Sequence, residues 1–339
     1  MAGVTGGPRP SAAEANSAAS QSGGEVGGGN TMWTATWNGR RLSRLMLGTV
    51  QFGMPYGIAN RTGQPAYREV LAIVETALAG GVNGFDTAAA YGTSEEVLGR
   101  ALRELGVAED VLVVTKVRPL PAELASAAAA SRAIERSVAD SRRRLQLDCL
   151  PCVLFHRESD AVHRDVLAQL QQRGWLRQAG VSCDNQPGPA VEFLRTGCVG
   201  ALQVPGSVVD RRHQQSGIFA EAAARGVAVF LRSVYLQGLL LMPEGAIPAA
   251  LQGILPVRRR LAFLAAEAGL SLAELAARYM LSQEGVTCVL AGVETVAQVR
   301  ENLAIFARGP LAPDLRAAID AAVPDLPTSL LTPRLWEHA

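Results

Sequence analysis

Eight short apolar runs, each followed by a longer segment in which apolar residues recur at helical spacing, constrain this chain more than any other feature. The runs at 45–48, 84–86, 111–116, 150–156, 180–182, 201–204, 227–231 and 287–291 read as strands. Ala- and Leu-rich segments at 67–79, 94–105, 131–145, 161–173, 187–195, 213–225, 257–282 and 295–307 read as the helices between and after them. Strict alternation of this kind predicts a parallel sheet. An open doubly wound sheet would carry a Gly-rich dinucleotide turn directly after its first strand. Here that strand runs into Leu47-Gly48-Thr49-Val50-Gln51-Phe52-Gly53, which does not fit such a turn. Eight repeats therefore predict closure into an α/β (β/α)8 TIM barrel, and 339 residues hold one barrel of roughly 250 residues with extensions.

The flanks are distinct. Asn38-Gly39, flanked by Trp33-Thr34-Ala35-Thr36-Trp37 and Arg41-Leu42-Ser43, predicts an N-terminal β-hairpin with a type I′ turn. Two strands are marginal alone, so this hairpin must rest on something larger. Residues 1–30, rich in Gly, Ala and Ser, read as a disordered N-terminal tail, leaving 31–339 as a single barrel with a C-terminal extension. Gly- and Pro-rich segments at 51–66 and 232–256 follow strands, which places them at the C-terminal face, where barrels keep their active sites.

A formal net charge of +1 gives no reason to expect nucleic acid or an anionic membrane as partner. No apolar run reaches the roughly 18 residues of a membrane span. Five cysteines, an odd number, suggest reduced thiols and a cytoplasmic setting. Cys149 and Cys152 enter a strand rather than open a helix, so they read as structural thiols and not as a redox pair. Four histidines without convergent carboxylates or a second cysteine pair predict no metal site.

The chemistry is written at strand ends. Asp86 closes the second strand, Tyr91 lies in the loop after it, Lys116 ends the third strand and His156 the fourth. A tyrosine is a weak acid, with an ordinary pKa near 10. A neighbouring ammonium favours its phenolate, and a buried carboxylate holds that ammonium charged and aimed. A histidine can orient a substrate oxygen or relay a proton. Taken singly, Asp86 reads as a turn cap, Lys116 as a snorkelling side chain, His156 as a core histidine and Tyr91 as loop packing. Four such residues at successive strand ends point instead to proton transfer at a carbonyl.

These residues also carry a resemblance. Phe85-Asp86-Thr87-Ala88-Ala89-Ala90-Tyr91-Gly92 with Ser94-Glu95 and Gly99, then Val114-Thr115-Lys116-Val117, Val153-Leu154-Phe155-His156, Gly180-Val181-Ser182 and Glu301-Asn302, resemble the aldo-keto reductases over about residues 40–307. The Asp-Thr-Ala-x-x-Tyr-Gly block is the most specific of these. The resemblance implies a tetrad of Asp86, Tyr91, Lys116 and His156 and a cofactor, NADP or NAD, lying extended across the barrel mouth. It implies nicotinamide contacts from Ser182 and Gln203, with Cys183 where most members have asparagine, and Arg232 where many stack a tyrosine. It places Thr49 among the cofactor residues, and Ser233, Leu236 and Gly238 beside the pyrophosphate. Gly292, Thr295 and Gln298 fall at the phosphate-binding helix start, with Glu301 and Asn302 reading the adenine. Many strongly NADP-selective relatives carry a lysine and an arginine where this chain has Gly292 and Gln298. Glu294 would repel a 2′-phosphate, which tilts the expectation toward tolerance of NAD.

Substrate contacts are implied for Phe52, Tyr56 and Arg157. The long first loop resembles relatives associated with sugar and surface-polysaccharide pathways, so the expected partner is a small-molecule carbonyl or sugar. The expected function is carbonyl–alcohol interconversion on a sugar-like or small polar aldehyde or ketone by an NAD(P)-dependent oxidoreductase acting on CH–OH groups. Alternatives are a sugar lactol 1-dehydrogenase using the same residues in reverse and a cofactor-binding regulatory or scaffolding protein with little turnover. A third is a phosphate-binding barrel lyase or isomerase, which would leave the tetrad unexplained. A closed barrel exposes no strand edge that demands a partner, so monomer and dimer are both compatible.

Overall fold

The structure is a computed structural model, and it describes residues 32–60, 62–122 and 126–338. The tail expected at 1–30 lies outside the described residues. Two antiparallel strands, β1 (Thr34–Trp37) and β2 (Arg40–Ser43), precede the barrel. The eight barrel strands are β3 (Leu45–Gly48), β4 (Gly84–Asp86), β5 (Leu112–Val117), β6 (Leu150–Phe155), β7 (Leu176–Ser182), β8 (Ala201–Pro205), β9 (Ala228–Arg232) and β10 (Cys288–Gly292). All pair in parallel, in chain order, and β10 closes the ring onto β3.

The helices are α1 (Val50–Gly53), α2 (Tyr67–Ala79), α3 (Ser94–Glu104), α4 (Ala127–Leu145), α5 (Arg164–Gln172), α6 (Pro187–Thr196), α7 (Arg212–Gln215), α8 (Ile218–Ala224), α9 (Leu255–Glu267), α10 (Leu272–Leu281), α11 (Val296–Ala307), α12 (Pro313–Ala322) and α13 (Thr328–Leu331). Among the described residues no helix is long and apolar enough to cross a membrane.

The hairpin turns where expected, with Asn38 and Gly39 at φ +49° and +74°. It supplies Trp37 and Leu42 to the cluster that fills the barrel interior, and Trp37 meets Phe230 edge-on at 5.7 Å between centroids. A second, larger cluster lies between the strands and the helices. Two segments expected as single helices are each two helices. The segment expected as one helix at 257–282 is α9 and α10, separated where Gly269 takes φ +66° and the Ser271 hydroxyl accepts from the Glu274 amide as an N-cap. The segment at 213–225 is likewise α7 and α8, broken at Gly217 with φ +75°. In both, the apolar spacing runs on through the break.

Candidate active site

Alternation along the strands positions the site. Met46, Leu112, Val114, Cys152, Leu154, Ala201, Phe230 and Leu290 belong to the interior cluster. Side chains of a strand return to the same face every second residue. Two residues beyond Val114, Leu154, Ala201 and Phe230, at the C-terminal strand ends, stand Lys116, His156, Gln203 and Arg232. Asp86 is in register with Val114, and Ser182 with Gln203, so both share that inward face.

These side chains interlock. The buried Lys116 ammonium donates to both Asp86 carboxylate oxygens at 2.8 Å and to the Thr87 carbonyl at 2.9 Å. Its nitrogen also lies 4.8 Å from the centre of the Tyr91 ring. Burial pushes the Lys116 pKa down, but Asp86 and Tyr91 more than offset it, leaving the group above its ordinary value and charged. The Tyr91 and His156 rings meet edge-on, 5.6 Å apart and at 90°. Burial first, then the charges of Lys116, Arg232 and Arg157, push His156 down to about 3, so its imidazole is neutral near pH 7. The Gln203 amide nitrogen donates to Asp86 Oδ1 at 2.7 Å, while Gln203 Oε1 and His156 Nδ1 are buried without partners.

The loop carrying Tyr91 is held by its backbone. Thr49 donates to the Asp86 carbonyl through both its amide, at 2.9 Å, and its hydroxyl, at 2.8 Å, and the Ser94 hydroxyl donates to the Thr49 carbonyl at 2.7 Å. A Cβ on Gly53 would fall 1.9 Å from the Tyr91 carbonyl, and one on Gly92, at φ +54°, would fall 2.2 Å from the Gly53 carbonyl. Only glycines permit that approach. Glu95, buried at the start of α3, accepts from Thr115 at 2.6 Å and from Arg144 at 3.1 Å, pinning the helix that follows Tyr91.

A cavity of about 840 Å³ opens above this constellation. Thr49, Tyr56, Ser182, Gln203, Arg232, Ser233, Gly238, Gly292, Gln298, Glu301 and Asn302 all line it, with Asp86, Tyr91 and His156 at its base. Four expectations need correction. Phe52 is fully buried in the outer core and does not line this cavity, because α1 turns it inward. Arg157 is exposed and off the cavity wall, one residue out of the parity that His156 obeys. Leu236 is buried in the outer core beneath a left-handed turn. Thr295 lies off the wall as the N-cap of α11, where its hydroxyl and the Gln298 side chain form a capping box. Cys183, which stands where most relatives have asparagine, packs its side chain in the outer core and offers the site its carbonyl, to which Arg232 donates at 2.8 Å.

Sequence reasoning missed Gln51, whose buried Oε1 lacks a partner, and Gln237, which donates to the Tyr56 hydroxyl at 3.1 Å and so ties two loops across the cleft. The first was signalled by its place just beyond a strand end. The second sits in a non-helical turn, with φ +53°, that no periodicity marks.

The cavity has the size of a cofactor site, within the usual range of about 300–1,000 Å³. It also fits a nicotinamide chemically, because the lone acceptor on Gln203 and the hydroxyl of Ser182 suit a carboxamide. Arg232, held by Cys183 and Ser233, presents a guanidinium beside them.

Within α7, His213 is buried with neither ring nitrogen partnered. Burial, opposed by Asp210 and aided by Arg232 and Arg212, pushes it down to about 4. His156 and His213 therefore stay neutral in the folded chain while the unfolded chain protonates both near pH 6.5, so stability is full above that pH and falls as pH drops toward 4. Replacing His213 with glutamine is expected to flatten this decline by up to about 1.4 kcal/mol per pH unit. Urea unfolding of both proteins at several mildly acidic pH values measures it, and identical slopes would count against the neutral imidazole.

Comparison with known proteins agrees with this fold. The profile of the aldo/keto reductase family matches residues 44–324. L-galactose dehydrogenase from Arabidopsis thaliana is 26% identical over 264 residues, covering 71% of this chain and 79% of that protein. A probable voltage-gated potassium channel subunit beta from the same plant is 26% identical over 298 residues, covering 77% and 88%. Among solved structures, the holo form of aldo-keto reductase AKR11C1 from Bacillus halodurans superposes with a TM-score of 0.72 at 24% identity, covering 87% of this chain and 97% of that one. At that identity it speaks for the fold alone.

Proposed function

This chain belongs to the aldo/keto reductase family and is an NAD(P)-dependent oxidoreductase, and from that premise we propose that it interconverts a carbonyl and an alcohol with Tyr91 as proton donor. One observation carries this reading: the buried Lys116–Asp86 pair lies under the Tyr91 ring, with a neutral His156 edge-on to it at the base of the cavity. A reduced nicotinamide, when bound, supplies the hydride. Tyr91 gives its phenolic proton to the substrate oxygen as negative charge develops there, and the fixed ammonium of Lys116 favours the phenolate left behind. His156, being neutral, orients that oxygen without competing for the proton. Asp86 keeps Lys116 charged and aimed. Gln203, whose amide nitrogen is committed to Asp86, offers its carbonyl to the carboxamide, and Ser182 offers its hydroxyl.

The substrate class we propose is a sugar-like or small polar aldehyde or ketone. Polar groups at the mouth support it: Tyr56, Asn60, Gln51 and Gln237 all line the cavity. L-galactose dehydrogenase, by its name, acts on a sugar, and oxidation of a lactol would use the same residues in reverse. A fluorescence titration with NADH and NADPH, followed by a panel of sugar and small polar aldehydes monitored through nicotinamide absorbance, tests the reading. Failure to bind either nucleotide sinks it. Binding of nucleotide with no turnover of any carbonyl or alcohol would favour a regulatory role instead.

Arg232 is proposed to give the nicotinamide ring a flat guanidinium to stack on. Arg232→Ala is expected to weaken nucleotide binding by roughly tenfold, the equivalent of about 1.4 kcal/mol. The same titration measures it, and an unchanged Kd would remove Arg232 from the site.

A further inference from the structure

The end of the cleft remote from Tyr91 is built from the start of α11, and its electrostatics are unlike those of a phosphate seat. A helix N-terminus binds phosphate through unpaired amides. Here four of the five amides from Glu294 to Gln298 are engaged within the protein. Gln298 Oε1 accepts from the Glu294 amide at 2.6 Å and the Thr295 amide at 3.2 Å. Thr295 Oγ1 accepts from the Gln298 amide at 3.3 Å, and Glu69 Oε1 accepts from the Val296 amide at 3.1 Å. The positive end of the helix is therefore already met by a carboxylate, Glu69, and by the chain's own capping box.

Two further carboxylates face the cleft at this end. Glu294 lines it, held by the Thr62 hydroxyl at 3.2 Å, and Glu301 lines it about two turns along the helix. Among the described residues the one cation lining the cavity is Arg232, at the opposite end and occupied with Cys183 and Ser233. Arg300, the neighbour of Glu301 on α11, is exposed and does not line the cavity. A ribose carrying free hydroxyls suits this surface, since hydroxyls donate to carboxylates. A ribose carrying a 2′-phosphate would bring a second anion against Glu294 and Glu301, where the Ala297 amide alone of these five is unengaged and, among the described residues, no cation lines the cleft at this end.

We propose that this chain selects NAD(H) over NADP(H), with Glu294 and Glu301 as the discriminating residues, Glu301 in addition to the adenine contact that the resemblance implies for it. The inference rests on the proposed nicotinamide site at Gln203 and Ser182, which sends the adenosine half of an extended dinucleotide toward α11.

Fluorescence titration of the full chain with NADH and NADPH tests it without reference to turnover. NADH is expected to bind about tenfold more tightly or better, a difference of about 1.4 kcal/mol. Raising the salt concentration should narrow that ratio, because screening relieves repulsion of the extra phosphate. ADP-ribose and 2′-phospho-ADP-ribose, which lack the nicotinamide, should repeat the ranking. The Glu294→Gln/Glu301→Gln double variant should bring the two nucleotides within about threefold of one another, chiefly by tightening NADPH, a change worth about 0.7 kcal/mol. NADPH binding as tightly as NADH overturns the selectivity while leaving the proposed function standing. A preference for NADH that survives unchanged in the double variant overturns the assignment to these two carboxylates. Binding of neither nucleotide overturns the proposed function and this inference with it.

Discussion

Replacing Tyr91 with phenylalanine is expected to lower kcat for carbonyl reduction by about 10²- to 10⁴-fold, the usual worth of a positioned general acid. Nucleotide affinity should stay within about twofold, well under the tenfold step that 1.4 kcal/mol represents. The separation follows from how the loop is held. The Thr49 and Ser94 bonds and the close approach of Gly53 to Gly92 all involve backbone or neighbouring side chains, not the phenol. Phenylalanine keeps the ring above Lys116 and edge-on to His156, so the variant removes an acidic proton and little else. Single-turnover rates with saturating nucleotide, alongside a fluorescence titration, measure both quantities. A variant that turns over at the parental rate would show that another group supplies the proton. One that no longer binds nucleotide would show that the phenol holds the cleft together.

The part of this site legible in the sequence is the part that alternation dictates. Lys116, His156, Gln203 and Arg232 continue the parity of the interior residues Val114, Leu154, Ala201 and Phe230, so strand ends read in steps of two find them. The same rule shows why Arg157 leaves the site and His156 stays in it. Alternation says nothing about Phe52, which a single short helical turn buries, or about Gln237, which a left-handed turn aims at Tyr56. Nor does it reveal that Gln203 spends its amide nitrogen on Asp86, because that contact joins residues 117 positions apart. Apolar spacing carried the helices but not their breaks. It continues across Gly269 and Gly217, where backbone conformation rather than amphipathicity ends one helix and starts another. The start of α11 is the clearest case. Thr295 and Gln298 are where a phosphate seat was expected, and their side chains use the amides that such a seat requires. The capping box was present in the sequence as Thr295 followed three residues later by Gln298, and it is a stronger local signal than the position they share with cofactor-binding relatives.

Lys116→Met carries the largest expected cost in stability. Lys116 is 1% exposed and gives Asp86 two hydrogen bonds, so its loss leaves a buried carboxylate with the Gln203 amide as its remaining side-chain partner. Removing one member of a buried ion pair typically costs about 3–5 kcal/mol. Activity should fall as well, because the phenol loses the charge that favours its phenolate. The pH dependence separates the parent from the variant. In the parent the Lys116 pKa lies above its unfolded value, so the pair's contribution is complete below pH 10.5 and is lost only as pH rises through the higher, folded value. The variant lacks that alkaline loss, and its deficit relative to the parent should shrink as pH rises in that range.

Pairing the change with Asp86→Leu distinguishes structure from chemistry. An apolar pair of similar volume often restores a site left with an uncompensated charge. The double variant should therefore recover most of the lost stability, less roughly 1–3 kcal/mol for the Gln203 amide left without its acceptor. It should not recover turnover, since no charge then lies beneath Tyr91. Urea unfolding and steady-state rates on the three proteins decide the matter. A double variant that is both stable and active would mean that Asp86 and Lys116 hold the barrel mouth together without acting on Tyr91.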